Sequence, residues 1–227
     1  MTYTNFHLQT PRGVIVYSAM TKTPTVLAIH GFKRSASALL PWAERIPGLG
    51  FVHLPGHGGR PSFDEVSVPA WIEGVQKLVE TFPEPPLIIA ESLGAMVAMS
   101  VSARAVIAVE PLLSTTQLWP LHRTIRDARA RGVPISPEDE ALFAGSFHWV
   151  LDRISAPTLV LAGLTPLLPE RVVRPEPSLL TDEDFAIYAS HPLVEAHRIP
   201  VGHTLLDHSR DHVMAAASNF MVRHGYL

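Results

Sequence analysis

Five short runs in this chain, residues 25–29, 50–54, 87–90, 105–109 and 158–162, are apolar at almost every position. A β-strand sends successive side chains to opposite faces, so a run without polar alternation is stable only where both faces are covered. That condition points to a largely parallel sheet with helices on either side. The intervening segments supply the helices. In 68–81, Trp71, Val75, Leu78 and Val79 recur at helical spacing before Pro83, while 95–103 is a run of small residues suited to close packing. Helices are also expected over 36–46 and 209–223, and a short strand over 195–199. At the start, runs 5–9 and 14–18 flank Thr10-Pro11-Arg12-Gly13, which predicts an antiparallel hairpin at a sheet edge.

The predicted fold class is therefore α/β: a mostly parallel twisted sheet with helices on both faces. At 227 residues, 47% hydrophobic and only 17% charged, the chain holds enough apolar material for one large domain over 1–227. One stretch breaks the alternation. Between 112 and 155 the sequence predicts two helices, 119–131 and 138–152, with no strand between them. That is more than a crossover needs, and it is read as a helical lid.

Several function classes fall away on composition. The net charge is −3 and no dense Lys/Arg run exists, so a nucleic-acid partner is not expected. Cysteine is absent, which excludes disulfides, thiolate metal sites and a cysteine nucleophile. The 12 histidines form no HExxH pattern, and the pairs His203/His208 and His208/His212 lack a clustered carboxylate at helical spacing. No metal and no cofactor are expected. The first twelve residues carry no basic segment leading into an apolar one, and no stretch approaches the ~18 apolar residues of a membrane span. A cytoplasmic location is expected.

The chemistry concentrates at Ala90-Glu91-Ser92-Leu93-Gly94, a small-x-Ser-x-Gly pattern between a buried strand and a helix. A nucleophile elbow requires that context: the turn is sharp, and the positions two before and two after the serine must be small. Three further landmarks stand at predicted strand ends, His30-Gly31 and Pro55-Gly56-His57-Gly58 before the serine and Gly202-His203 after it. Together these four resemble the α/β-hydrolase superfamily over nearly the whole chain. The resemblance implies acyl transfer, with Ser92 as nucleophile and His203 as general base. It also implies an oxyanion hole built from the backbone N–H groups of Phe32 and Leu93. By the same analogy His30 shapes the oxyanion loop and His57 orders its own.

The acid is where the chain departs from the pattern. The superfamily usually places an aspartate after the strand at 158–162, whereas this sequence reads Gly163-Leu164-Thr165-Pro166. A histidine base without an acceptor on its other nitrogen is poorly oriented. Glu110, ending the strand 105–109, is the first candidate because some superfamily members carry the acid there. Asp182, Glu183 and Asp184 are rivals, although after Thr181 they also read as a helix N-cap with an acidic first turn. Asp207 is too near His203 in sequence to be preferred, and a Ser–His dyad stays open.

The resemblance implies a small-molecule partner, a small or medium acyl ester or thioester. Leu112, Leu113, Leu118, Trp119, Phe143, Phe147 and Trp149 would either line its pocket or cement the lid to the body. Two readings of another kind stand beside this one: a non-catalytic binding protein of the same fold, and a carbon–carbon bond hydrolase using the same site.

Overall fold

The structure, a computed structural model, describes residues 2–46, 48–116, 118–143, 145–168, 177–200, 202–203 and 210–226. The unbroken apolar runs become strands β3 (Val26–Ile29), β4 (Gly50–His53), β5 (Leu87–Glu91), β6 (Ala105–Val109) and β7 (Thr158–Gly163). β8 (Val194–Ile199) completes the parallel part. The predicted hairpin is β1 (Thr4–Thr10) and β2 (Gly13–Ala19), which pair antiparallel in full register. The eight strands order as β1-β2-β4-β3-β5-β6-β7-β8, antiparallel at β1-β2-β4 and parallel from β4 onward.

The pleat explains why the runs carry no polar alternation. In β5, Ile88 and Ala90 enter one core while Leu87 and Ile89 enter another, and β6 and β7 divide in the same way. The first core is covered by α2 (Val68–Val79), α3 (Leu93–Met99) and residues that follow β6. The second is covered by Leu39, Trp42 and Ile46 near α1 (Leu40–Ala43) and by α7 (Arg210–Arg223), through Val213, Ala217 and Phe220. α2 starts where Ser67 accepts a hydrogen bond from Ala70 N–H at 3.2 Å, with Pro69 in the first turn, and it buries Trp71, Val75 and Leu78.

Two helices differ from expectation, each for a local reason. The helix expected over 36–46 shrinks to a 3₁₀ turn at Ala36–Leu39 and the four-residue α1, since Pro41 lacks the N–H that would continue the ladder. After α4 (Trp119–Ala130), the helix expected over 138–152 splits into α5 (Pro137–Leu142) and a 3₁₀ turn at His148–Arg153. The residues between them pair elsewhere. Gly145 N–H donates to Thr115 Oγ1, Thr115 N–H donates to Gly145 O, both at 2.9 Å, and Ser114 bridges Ser146. A backbone committed to that pairing is not available to a helix. α6 (Asp182–Ser190) begins at the Thr181 cap, as the sequence suggested.

Candidate active site

Three adjacent parallel strands, β3, β5 and β6, lead at their C-terminal ends to Phe32, Ser92 with Leu93, and Glu110, and His203, after β8, meets Glu110 there. Parallel α/β sheets present ligand sites there, because the chain leaves each strand by a loop of free conformation. Among the described residues, three non-glycine residues have positive φ: Lys33 at 56°, Ser92 at 51° and Glu110 at 52°. Each follows one of these strands. Such backbone is costly for residues with a Cβ and persists where the surroundings enforce it, typically at functional sites.

At the elbow, Ser92 (φ 51°, ψ −117°) joins β5 directly to α3. Its N–H donates to Val109 O at 2.8 Å, and its carbonyl accepts from Ala95 and Met96, so the reversal is fixed from both sides. Gly94 is held to glycine by main chain rather than by the turn alone: a Cβ there would sit 2.5 Å from His30 O and 2.6 Å from Ile29 O. Leu93 N–H opens α3, and among the described residues no group accepts from it or from Phe32 N–H.

Buried His30 shapes the neighbouring loop. Leu54 N–H donates to its Nε2 at 3.1 Å, so the proton sits on Nδ1, which donates to Gly31 O at 2.9 Å. Burial drives its pKa down to about 4, keeping this tautomer neutral. His57 Nδ1 and Trp71 Nε1 both donate to Pro55 O, at 3.0 and 3.1 Å, and the His57 ring packs against His30, Phe32 and Trp71. Burial lowers the His57 pKa as well.

The acid position resolves into a built carboxylate site. Glu110 is fully buried, and its Oε2 lies 2.9 Å from His203 Nδ1. The same oxygen accepts from Leu179 N–H at 2.9 Å, while Oε1 accepts from Gly163 N–H at 2.5 Å and Ser178 Oγ at 2.7 Å. An ionised carboxylate only accepts, so Nδ1 of His203 carries its proton and Nε2 carries none. Burial alone would raise the Glu110 pKa. The His203 contact and the Gly163 and Ser178 donors outweigh it, and the net shift is downward.

The stretch where an aspartate was absent serves this site in another way. Thr165 O accepts from Ser178 N–H at 2.7 Å and Leu167 N–H donates to Ser178 O at 2.8 Å, which holds Ser178 and Leu179 under Glu110. Pro177 O accepts from His203 N–H at 3.0 Å and fixes the histidine from the same segment. No local sequence pattern marks Ser178 or Leu179. The rivals lie elsewhere: Asp182 pairs with Arg198 at 2.5 Å, Asp184 faces His148 at 3.6 Å, and with Glu183 both sit in the first turn of α6. Burial raises the Asp184 pKa. Asp207 and His208 fall outside the described residues.

A cavity of about 280 Å³ opens between the segment after β6 (Ser114, Leu118, His148) and the segment after β7 (Leu167, Leu179, Asp184); Ser92, Glu110 and His203 do not line it. Leu112, Leu113 and Phe147 are buried in the first core, so they cement that segment to the body. α5 docks on the loops at the strand ends through Asp139, 2.6 Å from Lys33, and through Glu138, which accepts from Ser62 Oγ against Gly56. Among the described residues, no group of three or more His, Asp or Glu is placed to hold a metal ion. No described helix is long and apolar enough to cross a membrane.

The sequence profile of the alpha/beta hydrolase family matches residues 26–217, which spans every strand-end feature above. The chain belongs to the α/β-hydrolase family. No curated protein matches this hydrolase at the sequence level. Among solved structures, it is similar to E-2-(acetamidomethylene)succinate hydrolase, with a TM-score of 0.73 at 14% identity over 97% of this chain and 99% of that one. A thioesterase domain from the curacin biosynthetic pathway gives 0.63 at 18%, covering 98% and 99%. A thermophilic esterase from Thermogutta terrifontis gives 0.70 at 16%, covering 99% of each. At these identities the likeness concerns the fold.

Proposed function

We propose that this α/β hydrolase is a serine hydrolase that cleaves a small or medium acyl ester or thioester through an acyl-enzyme on Ser92. The observation that carries the reading is the 2.9 Å contact between His203 Nδ1 and the buried Glu110 carboxylate. That contact supports Glu110 as the orienting acid and weighs against the non-catalytic reading, whose best support was the missing aspartate.

His203 Nε2 takes the Ser92 hydroxyl proton as Oγ attacks the substrate carbonyl, and the electron pair of the C=O moves onto oxygen. That oxyanion is met by Phe32 N–H and Leu93 N–H, the latter at the positive end of α3. Collapse of the intermediate breaks the bond to the leaving oxygen or sulfur, which receives the proton from His203. Water then repeats the sequence against the acyl-enzyme and regenerates Ser92. Glu110 stays ionised throughout and stabilises the imidazolium formed in each half. Residues 112–155 act as a lid over this rim, with the adjoining cavity accepting part of the substrate. The named activities of the thioesterase domain and the esterase are consistent with this substrate class.

The test is covalent labelling with a fluorophosphonate, read by intact mass, on wild type and Ser92→Ala. One adduct on wild type and none on the variant is the expected result. Folded wild-type protein that takes no adduct and turns over none of a graded panel of acyl esters and thioesters refutes the reading.

A further inference from the structure

The residue before Ser92 reaches away from the elbow and into the neighbouring loop. Glu91 ends β5, is buried, and its Oε1 accepts a hydrogen bond from Gly31 N–H at 3.0 Å. The same oxygen lies 2.8 Å from Nε of Arg34. Gly31 and Arg34 are the first and fourth residues of a turn, closed by Arg34 N–H donating to Gly31 O at 3.2 Å. One carboxylate therefore grips both ends of a four-residue turn.

Phe32 and Lys33 are the two central residues of that turn. Lys33 has a φ of 56°, at the position where a turn of this kind favours glycine. A lysine held there needs outside restraint, since its relaxed backbone would rotate the preceding peptides and re-aim Phe32 N–H. The approach is also close: a Cβ on Gly31 would lie 3.2 Å from Ser92 Cβ and 3.4 Å from Glu91 Cγ, so elbow and turn are already in contact.

We propose that Glu91 is a positioning residue which, with Arg34, locks the Gly31–Arg34 turn onto the strand end that carries Ser92 and Leu93, and so fixes the distance between the two oxyanion donors. The proposal rests on the serine-hydrolase reading above. Glu91 touches neither substrate nor proton; it acts through Phe32 N–H. Ordinary packing of a loop on a strand would not require a buried carboxylate shared between a backbone N–H and a guanidinium. A misplaced oxyanion donor weakens transition-state binding and leaves ground-state binding intact, because the oxygen acquires its charge only as the tetrahedral species forms.

The experiment compares wild type with Glu91→Ala, Glu91→Gln and Arg34→Ala as full chains. For each, kcat and KM on an aryl acyl ester are measured separately, together with the inhibition constant of an aryl trifluoromethyl ketone and the melting temperature. The ketone forms a tetrahedral oxyanion adduct on the serine. Removing an oxyanion donor outright costs about 10²–10³ in rate, so its displacement in Glu91→Ala is expected to lower kcat about 10- to 100-fold with KM within about threefold. The ketone constant should rise by the same factor as kcat falls. Glu91→Gln, which retains an acceptor for Gly31 N–H, should lie between, as should Arg34→Ala.

A folded Glu91→Ala with wild-type kcat overturns the proposal. So does a loss of melting temperature with ketone affinity unchanged, the pattern of a purely structural residue. Where Glu91→Ala does not fold, Glu91→Gln and Arg34→Ala decide by the same two criteria. Wild type that neither labels nor turns over removes the hydrolase reading and this proposal with it, whereas active wild type beside an active Glu91→Ala removes this proposal alone.

Discussion

Glu110→Gln isolates what the buried carboxylate contributes, because the amide has the same shape and one fewer acceptor. All four groups that meet Glu110 are donors in the structure: Gly163 N–H, Ser178 Oγ, Leu179 N–H and His203 Nδ1. Whichever way the amide is turned, its NH₂ faces a fixed peptide N–H, Gly163 on one side or Leu179 on the other. One buried donor loses its partner, which costs about 1–3 kcal/mol of stability. The catalytic loss is larger. With NH₂ towards His203, Nδ1 becomes the acceptor, the proton moves to Nε2, and the base can no longer take the Ser92 proton. With oxygen towards His203, the imidazolium loses its counter-charge. A loss of roughly 10³–10⁴ in kcat is expected, about 4–5.5 kcal/mol of transition-state stabilisation. The assay is kcat/KM on an aryl ester, with fluorophosphonate titration to count competent sites and urea unfolding to measure stability. The depressed Glu110 pKa adds a pH signature. Its folded value lies below the unfolded 4.5, so its stabilising contribution is present above about pH 4.5 and is lost as pH falls through the folded value. The glutamine variant lacks that acid-limb loss. A folded Glu110→Gln enzyme that retains more than about a tenth of wild-type turnover refutes the assignment of Glu110 as the acid.

Gly94→Ala forces a Cβ against the carbonyls of His30 and Ile29, main-chain atoms that cannot step aside; stability should fall by about 3 kcal/mol in urea unfolding, and an unchanged midpoint contradicts the packing argument. His30 is neutral when folded, with a pKa of about 4 against 6.5 unfolded, so the stability tied to its neutral form is complete above pH 6.5 and drains away as pH falls towards 4. That difference is worth about 3 kcal/mol, and His30→Gln should flatten the decline in unfolding free energy between pH 7 and 4.5. Asp182→Asn breaks only an exposed pairing with Arg198, and kcat should stay within about twofold of wild type.

The sheet was legible because burial on both faces leaves a signature in single strands: residues 87–90 and 105–109 needed no partner to be recognised. The elbow was legible because its constraint is local, a serine between strand and helix with Gly94 beside it. Glu110 came from the superfamily resemblance, since some members carry the acid after that strand, once Thr165 stood where a carboxylate was expected. Its environment did not. Ser178 and Leu179 reach Glu110 through pairing with Thr165 and Leu167, a contact between segments far apart in sequence that no periodicity encodes. The splitting of 138–152 has a similar origin, since Gly145 is claimed by Thr115. The contact between Arg34 and Glu91 has the same origin, since it joins the serine motif to a turn far from it in sequence.

Of the four groups that hold Glu110, two are peptide N–H groups, which every non-proline residue provides. Leu179 can therefore change its side chain, proline excepted, and still donate to the carboxylate, whereas Ser178 donates through its own Oγ. Under the proposed assignment, a search for an aspartate after the penultimate strand would pass over this site, whereas a search for an acidic residue directly after the strand that follows the serine helix would find Glu110.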